Sequence, residues 1–385
     1  MNKNGSKQLY HSLALNVFIA LLASSTQLAQ ASNYNFNWVG NGPNPTFTSS
    51  DSVSQVNNAG QVLGYRFDAS IKDTGFGFKR TSGMFNGTTF TPHVGTTGAS
   101  TTLAVNMNEA SQATGFYYLD SEDIRPTRWV GTSTVTELPR LNGFHGEGAD
   151  INNSGQIAGF SWADTNFHAV RWDADNTIHD LPTLGGTFGR GSGINDLGYV
   201  VGSSFTDNDT AQHAALWKPD GSVIDLDTSG SSSSWAEKIN NRGQVVGFTT
   251  NENGLWDVTL WNVDGSAPID LTASLGADVD TAFEQGRSTL INNAGQVVFD
   301  AFNADGSQNS YLWSNGNLLD IGTLLPSGVS LLTVTGINDK GELYGRAMDK
   351  GAFGGFVLTP TTVPIPGAVW LLGSALMGLL GVKRR

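Results

Sequence analysis

The sequence predicts an all-β fold made of a repeated four-stranded unit, and three observations support this prediction. A nonapeptide such as VNNAGQVLG, which begins at Val56, recurs in seven copies, the last at Ile337. The 385 residues include 48 Gly, no Cys and only 14% charged residues, as expected for many short strands joined by tight turns. Short alternating stretches lie between the copies, without a helical period of useful length. Four-stranded units of about 45 residues match propeller blades, so we predict a seven-bladed β-propeller over residues 32–360.

The first 31 residues have the order of a secretory signal peptide. Lys3 and Lys7 precede an apolar run from Leu13 to Ala23, and the small residues Ala29 and Ala31 follow it. We therefore expect signal peptidase to cleave after Ala31. A retained N-terminal anchor is the alternative, but the run is short for a membrane span of about 20 residues.

Each nonapeptide is predicted to close a hairpin. An Asn side chain at the first turn position can accept a hydrogen bond from a backbone N–H two residues on, and Gly three residues later can take the left-handed conformation. A second Gly, as at Gly64 and Gly159, falls within a strand, where it lets another backbone or an aromatic ring approach. These roles are structural rather than catalytic. The turn residues are Asn57, Gly60, Asn108, Asn152, Gly155, Asn195, Gly198, Asn240, Gly243, Asn292, Gly295, Asn338 and Gly341.

An aromatic residue follows each Asn by about twenty positions in most copies, and we expect it to cover the space between neighbouring units. An alternating stretch comes next, such as VIDLD from Val223, and provides the fourth strand. The repeat aromatics are Phe78, Trp129, Trp172, Trp217, Trp261, Trp313 and Phe356.

The two ends of the repeat region predict how it closes. The last copy stops near Pro360 without the strand that follows the aromatic residue elsewhere, whereas FNWVG, from Phe36 to Gly40, precedes the first Asn. We therefore predict that residues 36–39 pair beside residues 355–359. An open β-solenoid, in which these ends lie apart, is the alternative.

Residues 361–385 combine a proline motif, an apolar run and a basic end. Val363, Pro364 and Pro366 lead into a charge-free run from Gly367 to Val382, and three cations follow. The segment resembles the PEP-CTERM sorting signals of Gram-negative bacteria, although Ile365 stands where that family usually has Glu. The resemblance implies a transmembrane helix processed by an exosortase-like enzyme, with the preceding body outside the cytoplasm. A plain C-terminal membrane anchor is the alternative.

The central repeats also resemble a known family. The segment from Asp180 to Trp217, which begins DLPTLGG and contains INDLGYVVG, is similar to the unit of HAF-repeat extracellular proteins. His168-Ala169 and His213-Ala214 stand where that family has His-Ala. The resemblance extends over roughly residues 36–360 and implies a secreted, propeller-like repeat protein. It implies no particular activity.

No catalytic motif of a common class is present: the sequence lacks a nucleophile elbow, a phosphate loop and an HExxH helix. His145 lies close to Glu147 and could serve as an acid, a base or a ligand, but the sequence places no third partner beside them. His168 and His213 share one repeat position and are expected to form hydrogen bonds on a strand. The two other histidines of the repeat region are His93 and His179.

Calcium is the only cofactor that the sequence suggests, and we expect none. Carboxylate and amide oxygens are clustered in three segments, but none completes a known calcium loop, and such residues are common in solvated turns. The segments contain Asp207, Asn208 and Asp209; Asp278, Asp280 and Glu284; and Asn303, Asp305 and Gly306.

Two functional classes fit the sequence. A net charge of −13 disfavours nucleic acid and anionic membrane surfaces as partners. We expect a non-enzymatic protein of the cell surface or extracellular matrix that binds polysaccharide or a surface protein. The alternative is an extracellular glycan-active enzyme, a hydrolase or lyase, with its site in the propeller channel. Two carboxylates and a His meeting at one channel mouth would favour the enzyme, whereas scattered charges would favour binding.

Overall fold

The computed structural model describes residues 34–44, 49–68, 79–86, 89–95, 101–119, 123–143, 145–163, 165–227, 231–275, 289–302 and 307–361. Residues Phe36–Thr359 form one compact unit. Within the described ranges, no helix has the length and apolar character needed to cross a membrane. The sequence predictions that fall outside these ranges concern Ala29, Ala31, Phe78, Asp278, Asp280, Glu284, Asn303, Asp305, Gly306, Val363, Pro364 and Pro366.

The predicted all-β class is confirmed, because the described residues form 28 strands and only short 3₁₀ turns. Four consecutive strands make one antiparallel group, and five sheets contain four strands each. The sixth sheet has eight strands and consists of two such groups joined by one parallel pair, Thr81 with Thr102. Within six of the seven groups, the strands are hydrogen-bonded in chain order, as expected for a meander built from hairpins.

The strands of the first two groups, which form the eight-stranded sheet, are β2 (Ser49–Val56), β3 (Val62–Asp68), β4 (Lys79–Asn86), β5 (Thr89–Pro92), β6 (Thr101–Met107), β7 (Gln112–Tyr118), β8 (Ile124–Val130) and β9 (Thr134–Glu137). The next two groups are β10 (Gly146–Ile151), β11 (Ile157–Ala163), β12 (Asn166–Trp172) and β13 (Ile178–Asp180), then β14 (Gly185–Ile194), β15 (Val200–Thr206), β16 (Gln212–Trp217) and β17 (Val223–Asp225).

Two further groups follow: β18 (Ser234–Ile239), β19 (Gln244–Thr250), β20 (Trp256–Asn262) and β21 (Ile269–Asp270), then β22 (Leu290–Ile291), β23 (Val297–Phe302), β24 (Gln308–Ser314) and β25 (Asn317–Asp320). The last group has β26 (Val329–Ile337), β27 (Leu343–Asp349) and β28 (Ala352–Pro360), with β1 (Tyr34–Asn44) from the start of the chain. The 3₁₀ turns are Asp207–Asp209, Ala273–Leu275 and Ile321–Leu324.

The predicted pairing of the N-terminal strand with the last repeat is confirmed. Strand β1 lies next to β28 in the sheet order β1-β28-β27-β26. The Phe36 ring stacks on Phe356 with a centroid distance of 5.6 Å. Gly354 gives Trp38 room, since a Cβ at Gly354 would lie 3.0 Å from that indole ring. The two ends of the repeat region are therefore adjacent, unlike the ends of an open solenoid.

The nonapeptides form hairpin turns between the first two strands of each group. At the first turn, the Gly60 amide donates to the Asn57 carbonyl at 2.9 Å, and the Asn57 Oδ1 accepts from the Gln61 amide. Six of the turns have Gly in the left-handed region, with φ between +75° and +81°. In the second copy Ser111 takes this conformation with φ +59°.

The second repeated Gly faces a bulge in the first strand of its group. In six groups this strand skips one residue of the pairing register just before its end, as at Ser54 between Val53 and Gln55. A Cβ at Gly64 would lie 2.1 Å from the Ser52 carbonyl oxygen, and the equivalent distances in the other five groups are 1.9 to 2.1 Å. Glycine is therefore what lets the bulged strand approach its neighbour.

The repeat Trp residues connect neighbouring groups. Trp129, Trp172 and Trp217 are fully buried, and each indole N–H donates to a carbonyl in the preceding group, at Val94, Pro139 and Pro182 respectively. Trp261 is buried against Val201 and Leu216, also from the preceding group, and Trp313 is half-buried.

The strand registers show which residues correspond to these Trp side chains in the first and last groups. Phe85 pairs with Val62 as Trp172 pairs with Ile157. In the last group Leu358 pairs with Leu343, whereas Phe356 pairs with Gly345, two residues earlier. Phe85 therefore has the register position that we assigned from spacing to Phe78.

Candidate functional site

A central cavity of about 580 Å³ is lined by the first strand of every group. These strands, β2, β6, β10, β14, β18, β22 and β26, are called the inner strands below. The Asn of the repeated turn directly follows each of them, so the turns mark one end of the cavity, called the turn end. The starts of β10, β14 and β18 mark the opposite end. The two ends have different chemistry.

The turn end contains a continuous cycle of hydrogen bonds. Each turn Asn donates from Nδ2 to the backbone carbonyl of the next turn Asn, and Asn338 returns to the Asn57 carbonyl. The seven distances lie between 2.9 and 3.4 Å, and all seven Asn are buried. The Asn therefore links consecutive groups as well as closing its own hairpin.

A second cycle lies beside the first and uses the residue after each Asn. Each backbone N–H donates to a side-chain oxygen of the equivalent residue in the next group, at 2.7 to 3.0 Å. Asp196 additionally accepts from the amides of Asn153 and Asn241. The polar groups of the turn end thus satisfy one another. The members are Asn58, Glu109, Asn153, Asp196, Asn241, Asn293 and Asp339.

The opposite end, called the aromatic end, has side chains that differ from repeat to repeat. Trp162 and Phe167 sit at the β11–β12 hairpin, and their rings form an edge contact at 4.8 Å. The Phe167 ring also contacts the Phe188 ring of the next group, with a centroid distance of 6.3 Å. The Phe188 ring in turn contacts the Phe205 ring, with a centroid distance of 5.1 Å. These four rings are half-buried, and the Phe167 ring also contacts the Phe160 ring at 4.8 Å. The Arg190 guanidinium lies over the buried Phe160 ring at 4.6 Å.

Charged side chains from three inner strands line the cavity. Lys238 on β18 forms an ion pair with Asp150 on β10 at 3.0 Å, although β14 lies between them in chain order. Gly193 on β14 makes this possible, because a Cβ there would lie 2.9 Å from the Glu237 carbonyl oxygen. Glu147 lies 3.9 Å from Arg190.

Glu237 differs from the other charged residues of the cavity. It is the bulged residue of β18, and its carboxyl forms no hydrogen bond or ion pair with any residue that the structure describes. The side chain lies deep among the inner strands but keeps some surface open to the cavity. Burial raises the pKa of the Glu237 carboxyl, and nearby Lys238 and Arg190 oppose the shift.

Two predicted His residues have hydrogen-bonding roles away from the cavity. His168 and His213 each contact the Asp of the outermost strand of their own group, Asp180 at 3.0 Å and Asp225 at 2.8 Å. His179 contacts Asp173 at 2.6 Å. These three side chains therefore hold strands together.

His93 and His145 have different surroundings. His93 is buried, stacks on Trp129 at 5.4 Å and contacts the Ser82 hydroxyl. Burial lowers the pKa of His93 to about 4. His145 stacks on Phe160, and its Nε2 lies 3.6 Å from Glu147. Three carboxylates, Glu147, Asp150 and Glu237, thus line the cavity, and His145 lies next to one of them.

The oxygen-rich segment at residues 207–209 forms a short 3₁₀ turn in the structure. Asn208 has φ +59°, and Asp209 accepts hydrogen bonds from the backbone and the hydroxyl of Thr187. In the described parts of the chain, no group of three or more His, Asp or Glu has a geometry that could hold a metal ion.

Sequence reasoning missed the links between groups and the role of Glu237. One signal for the links is present in the sequence, because Asn, Asp or Glu follows the turn Asn in all seven copies. Glu237 also has a signal. The other bulge positions have small or medium uncharged residues, namely Ser54, Val105, Ala149, Ser192 and Thr335.

Comparison with solved structures shows propeller relatives. Neither a protein-family model nor a curated protein matches the chain. The β-propeller domain of the Trilobed protease from Pyrococcus furiosus, whose topology is described as open velcro, has a TM-score of 0.57 at 10% identity, over 81% of this chain and 95% of that one. An oligogalacturonate lyase in complex with manganese has a TM-score of 0.53 at 10% identity, over 88% and 97%.

A puromycin-hydrolyzing peptidase of Mycobacterium tuberculosis is also similar, with a TM-score of 0.53 at 12% identity over 84% of this chain and 56% of that one. At identities this low, the likeness shows a shared fold and says nothing about activity. These structural similarities, together with the four-stranded antiparallel groups, show that this chain has a β-propeller fold.

Proposed function

We propose that this chain is a seven-bladed β-propeller displayed outside the cell, where it binds saccharide without catalysis at the aromatic end of the central cavity. Three features support seven blades: seven inner strands line one cavity, the hydrogen-bond cycles join the seventh copy to the first, and β1 completes the last group. Each four-stranded group is one blade in this proposal.

The observation that carries the binding proposal is where the repeats differ. The position five residues before the turn Asn is described in six groups, where it has Ser52, Leu103, Glu147, Arg190, Trp235 and Thr333. Glu147, Arg190 and Trp235 line the cavity. Arg190 lies over the Phe160 ring, which contacts the half-buried Phe167 ring. Apolar ring faces combined with a few placed hydrogen-bonding groups fit an amphipathic ligand such as a sugar.

The location outside the cell is proposed from the two chain ends. Signal peptidase is expected to remove residues 1–31, and an exosortase-like enzyme to process the motif at residues 363–366. In this proposal, the C-terminal helix holds the protein in the membrane only before processing. Mass spectrometry of the mature protein from the native cell envelope tests both steps. An N-terminus at Ser32 and loss of the C-terminal cations are expected, whereas an intact C-terminus would indicate a permanent anchor.

Binding is tested with the full chain on a glycan array, followed by calorimetry on the best ligand. The variants Trp162→Ala and Phe188→Ala are expected to weaken binding by roughly two- to tenfold each, because aromatic contacts contribute about 0.5–1.5 kcal/mol. Leu197→Ala is the matched control, since Leu197 is an exposed apolar residue at the turn end with 61% of its surface accessible. Equal weakening by Leu197→Ala, or no glycan bound at all, would contradict the proposal.

A glycan-active hydrolase or lyase is the second candidate function. The observation favouring it is that Glu147 and Glu237 share one cavity and that burial raises the pKa of Glu237, as a general acid near neutral pH requires. If this candidate is right, product is released from the bound glycan and Glu237→Gln abolishes release while the glycan still binds. Binding without product in the wild-type protein supports the non-enzymatic proposal.

A further inference from the structure

Glu237 is a charged residue that the propeller scaffold does not require. A β-bulge changes the direction of a side chain, and Glu237, the bulged residue of β18, lines the central cavity. The equivalent residues of the other described bulges are uncharged, and those strands have the same register shift. The carboxyl at this position therefore needs another explanation.

Arg190 and Lys238 lie near Glu237, but their ion pairs are with other carboxylates. Asp150 is paired with Lys238, and Glu147 lies close to both Arg190 and His145. A carboxylate removed from bulk water without a partner is destabilised, and a cation brought by a ligand would offset that cost. The cavity lining thus has three carboxylates, at Glu147, Asp150 and Glu237, but only two cations, Arg190 and Lys238, and it lacks one positive charge.

A metal ion is a poor candidate for the missing positive charge. The oxygens of Asp150 and Glu147 already face protein cations, so a metal would have a single carboxylate ligand there. An ammonium group needs only one carboxylate and a few neutral acceptors. The cavity offers the hydroxyls of Ser192, Ser54 and Thr335 as acceptors.

The aromatic residues that line the cavity with Glu237 also suit a sugar ring that has an amine substituent. Trp235 is on the same strand, is half-buried and lines the cavity, and its indole N–H donates to the Ser192 hydroxyl at 3.2 Å. Phe116 lines the same space. An aromatic surface next to a carboxylate can hold the apolar face of a sugar while the acid contacts its substituent.

We propose that Glu237 binds a protonated amine of the ligand, so that the preferred saccharide contains an amino sugar. This inference rests on the proposed saccharide-binding function. It adds the chemical class of the ligand and names the residue that selects it.

Three β-1,4-linked tetrasaccharides test the inference by calorimetry on the full chain. Cellotetraose has a hydroxyl at C2 of each ring, the glucosamine tetramer has an amine, and the N-acetylglucosamine tetramer has an uncharged amide. At a pH where the amines are protonated, the glucosamine tetramer should bind roughly tenfold or more tightly than cellotetraose. The reason is that a hydrogen bond between an ammonium group and a carboxylate is stronger than one between neutral groups. The N-acetylglucosamine tetramer should show no such preference.

Glu237→Gln is the decisive variant, and Asp264→Asn is its control. Both substitutions remove one negative charge and keep side-chain size, but Asp264 lies in an exposed turn of the outer hairpin. The ratio of the affinities for the glucosamine tetramer and cellotetraose should fall to near one in Glu237→Gln and stay at its wild-type value in Asp264→Asn.

The outcomes separate the inference from the function on which it rests. If cellotetraose and the glucosamine tetramer bind equally to the wild-type protein, the inference is wrong and saccharide binding stands. If the preference survives in Glu237→Gln, it comes from the overall negative charge, and the role of Glu237 is wrong. If none of the three tetramers binds, both the inference and the proposed function are overturned.

Discussion

The two ends of the central cavity are built from the same seven strands, yet they have opposite properties. At the turn end, every copy contributes the same Asn, and each donor has an acceptor in the next group. At the aromatic end, equivalent positions of three consecutive inner strands have Glu147, Arg190 and Trp235. The repeated residue is the same in every copy where groups contact one another, and it varies at these positions, which line the cavity. In this propeller, departure from the repeat is a better guide to function than the repeat itself.

The largest expected effect is at the turn end. Asn195→Asp replaces an amide that donates to the Asn240 carbonyl at 3.1 Å with a carboxylate oxygen facing that carbonyl in a buried position. We expect a loss of about 3–4 kcal/mol in the free energy of unfolding, from the lost hydrogen bond and the buried charge. Urea denaturation measures it.

Arg190→Gln at the aromatic end is the matched comparison for Asn195→Asp. The Arg190 side chain is 40% exposed, so we expect a stability change within about 1 kcal/mol. If the two substitutions cost the same, the division into a structural end and a binding end is wrong.

The next largest effect should come from the titration of buried His93, which lies at neither end of the cavity and provides a reference for pH experiments. Because burial lowers the pKa of His93 from 6.5 to about 4, the unfolded chain binds a proton that the folded protein excludes in this range. Stability should therefore fall as the pH drops from about 6.5 towards 4, by about 3 kcal/mol in total. Denaturation across this range, with His93→Gln as the variant lacking the titration, measures the contribution. An equal pH slope in both proteins would exclude His93 as the cause.

Glu237 should give a pH dependence of the opposite sign. Its folded-state pKa is raised above the ordinary 4.5, so its contribution to stability is present below that value and is lost as the pH rises through the raised pKa. Glu237→Gln, which stays neutral, should be more stable than the wild type at pH 7 and should converge with it in acid. A wild type that is more stable than Glu237→Gln at pH 7 would show that a cation within the protein already pairs with this carboxyl.

The smallest effect should come from the ion pair inside the cavity. Asp150 and Lys238 are mostly buried and lie 3.0 Å apart, and Asp150 also accepts from the Ile194 amide. A double-mutant cycle with Asp150→Asn and Lys238→Met should give a coupling energy of about 1 kcal/mol. A coupling near zero would mean that the pair does not help to hold β10 and β18 in place.

Local chemistry made much of the scaffold predictable. The turn at Asn57 and Gly60 depends on backbone conformation within five residues, and the pairing of β1 with β28 followed from a strand missing at one end and present at the other. The Trp at positions such as 172 was predicted to lie between units because a large side chain recurred at one spacing.

The unpredicted features depend on contacts between residues distant in the chain. The Asn57 amide meets a carbonyl 51 residues away, a distance that no local rule specifies. Phe78 was assigned by counting, but the strand register, which depends on both partner strands, puts Phe85 opposite Val62. The importance of Glu237 appears only when the bulge is located and its neighbours are seen to be paired.

The pairing of β1 with β28 also affects the order of assembly. Residues 36–44 are synthesised, and by our proposal exported, before any other part of the repeat region, whereas their partner at residues 352–359 emerges last. The last group therefore cannot complete its four strands until the whole region has been made, because more than 300 residues separate the two partners. Contacts between such distant segments form slowly, and an unpaired strand edge can join another chain in the meantime. Strand β1, which is synthesised first, must remain unpaired until β28 has been synthesised.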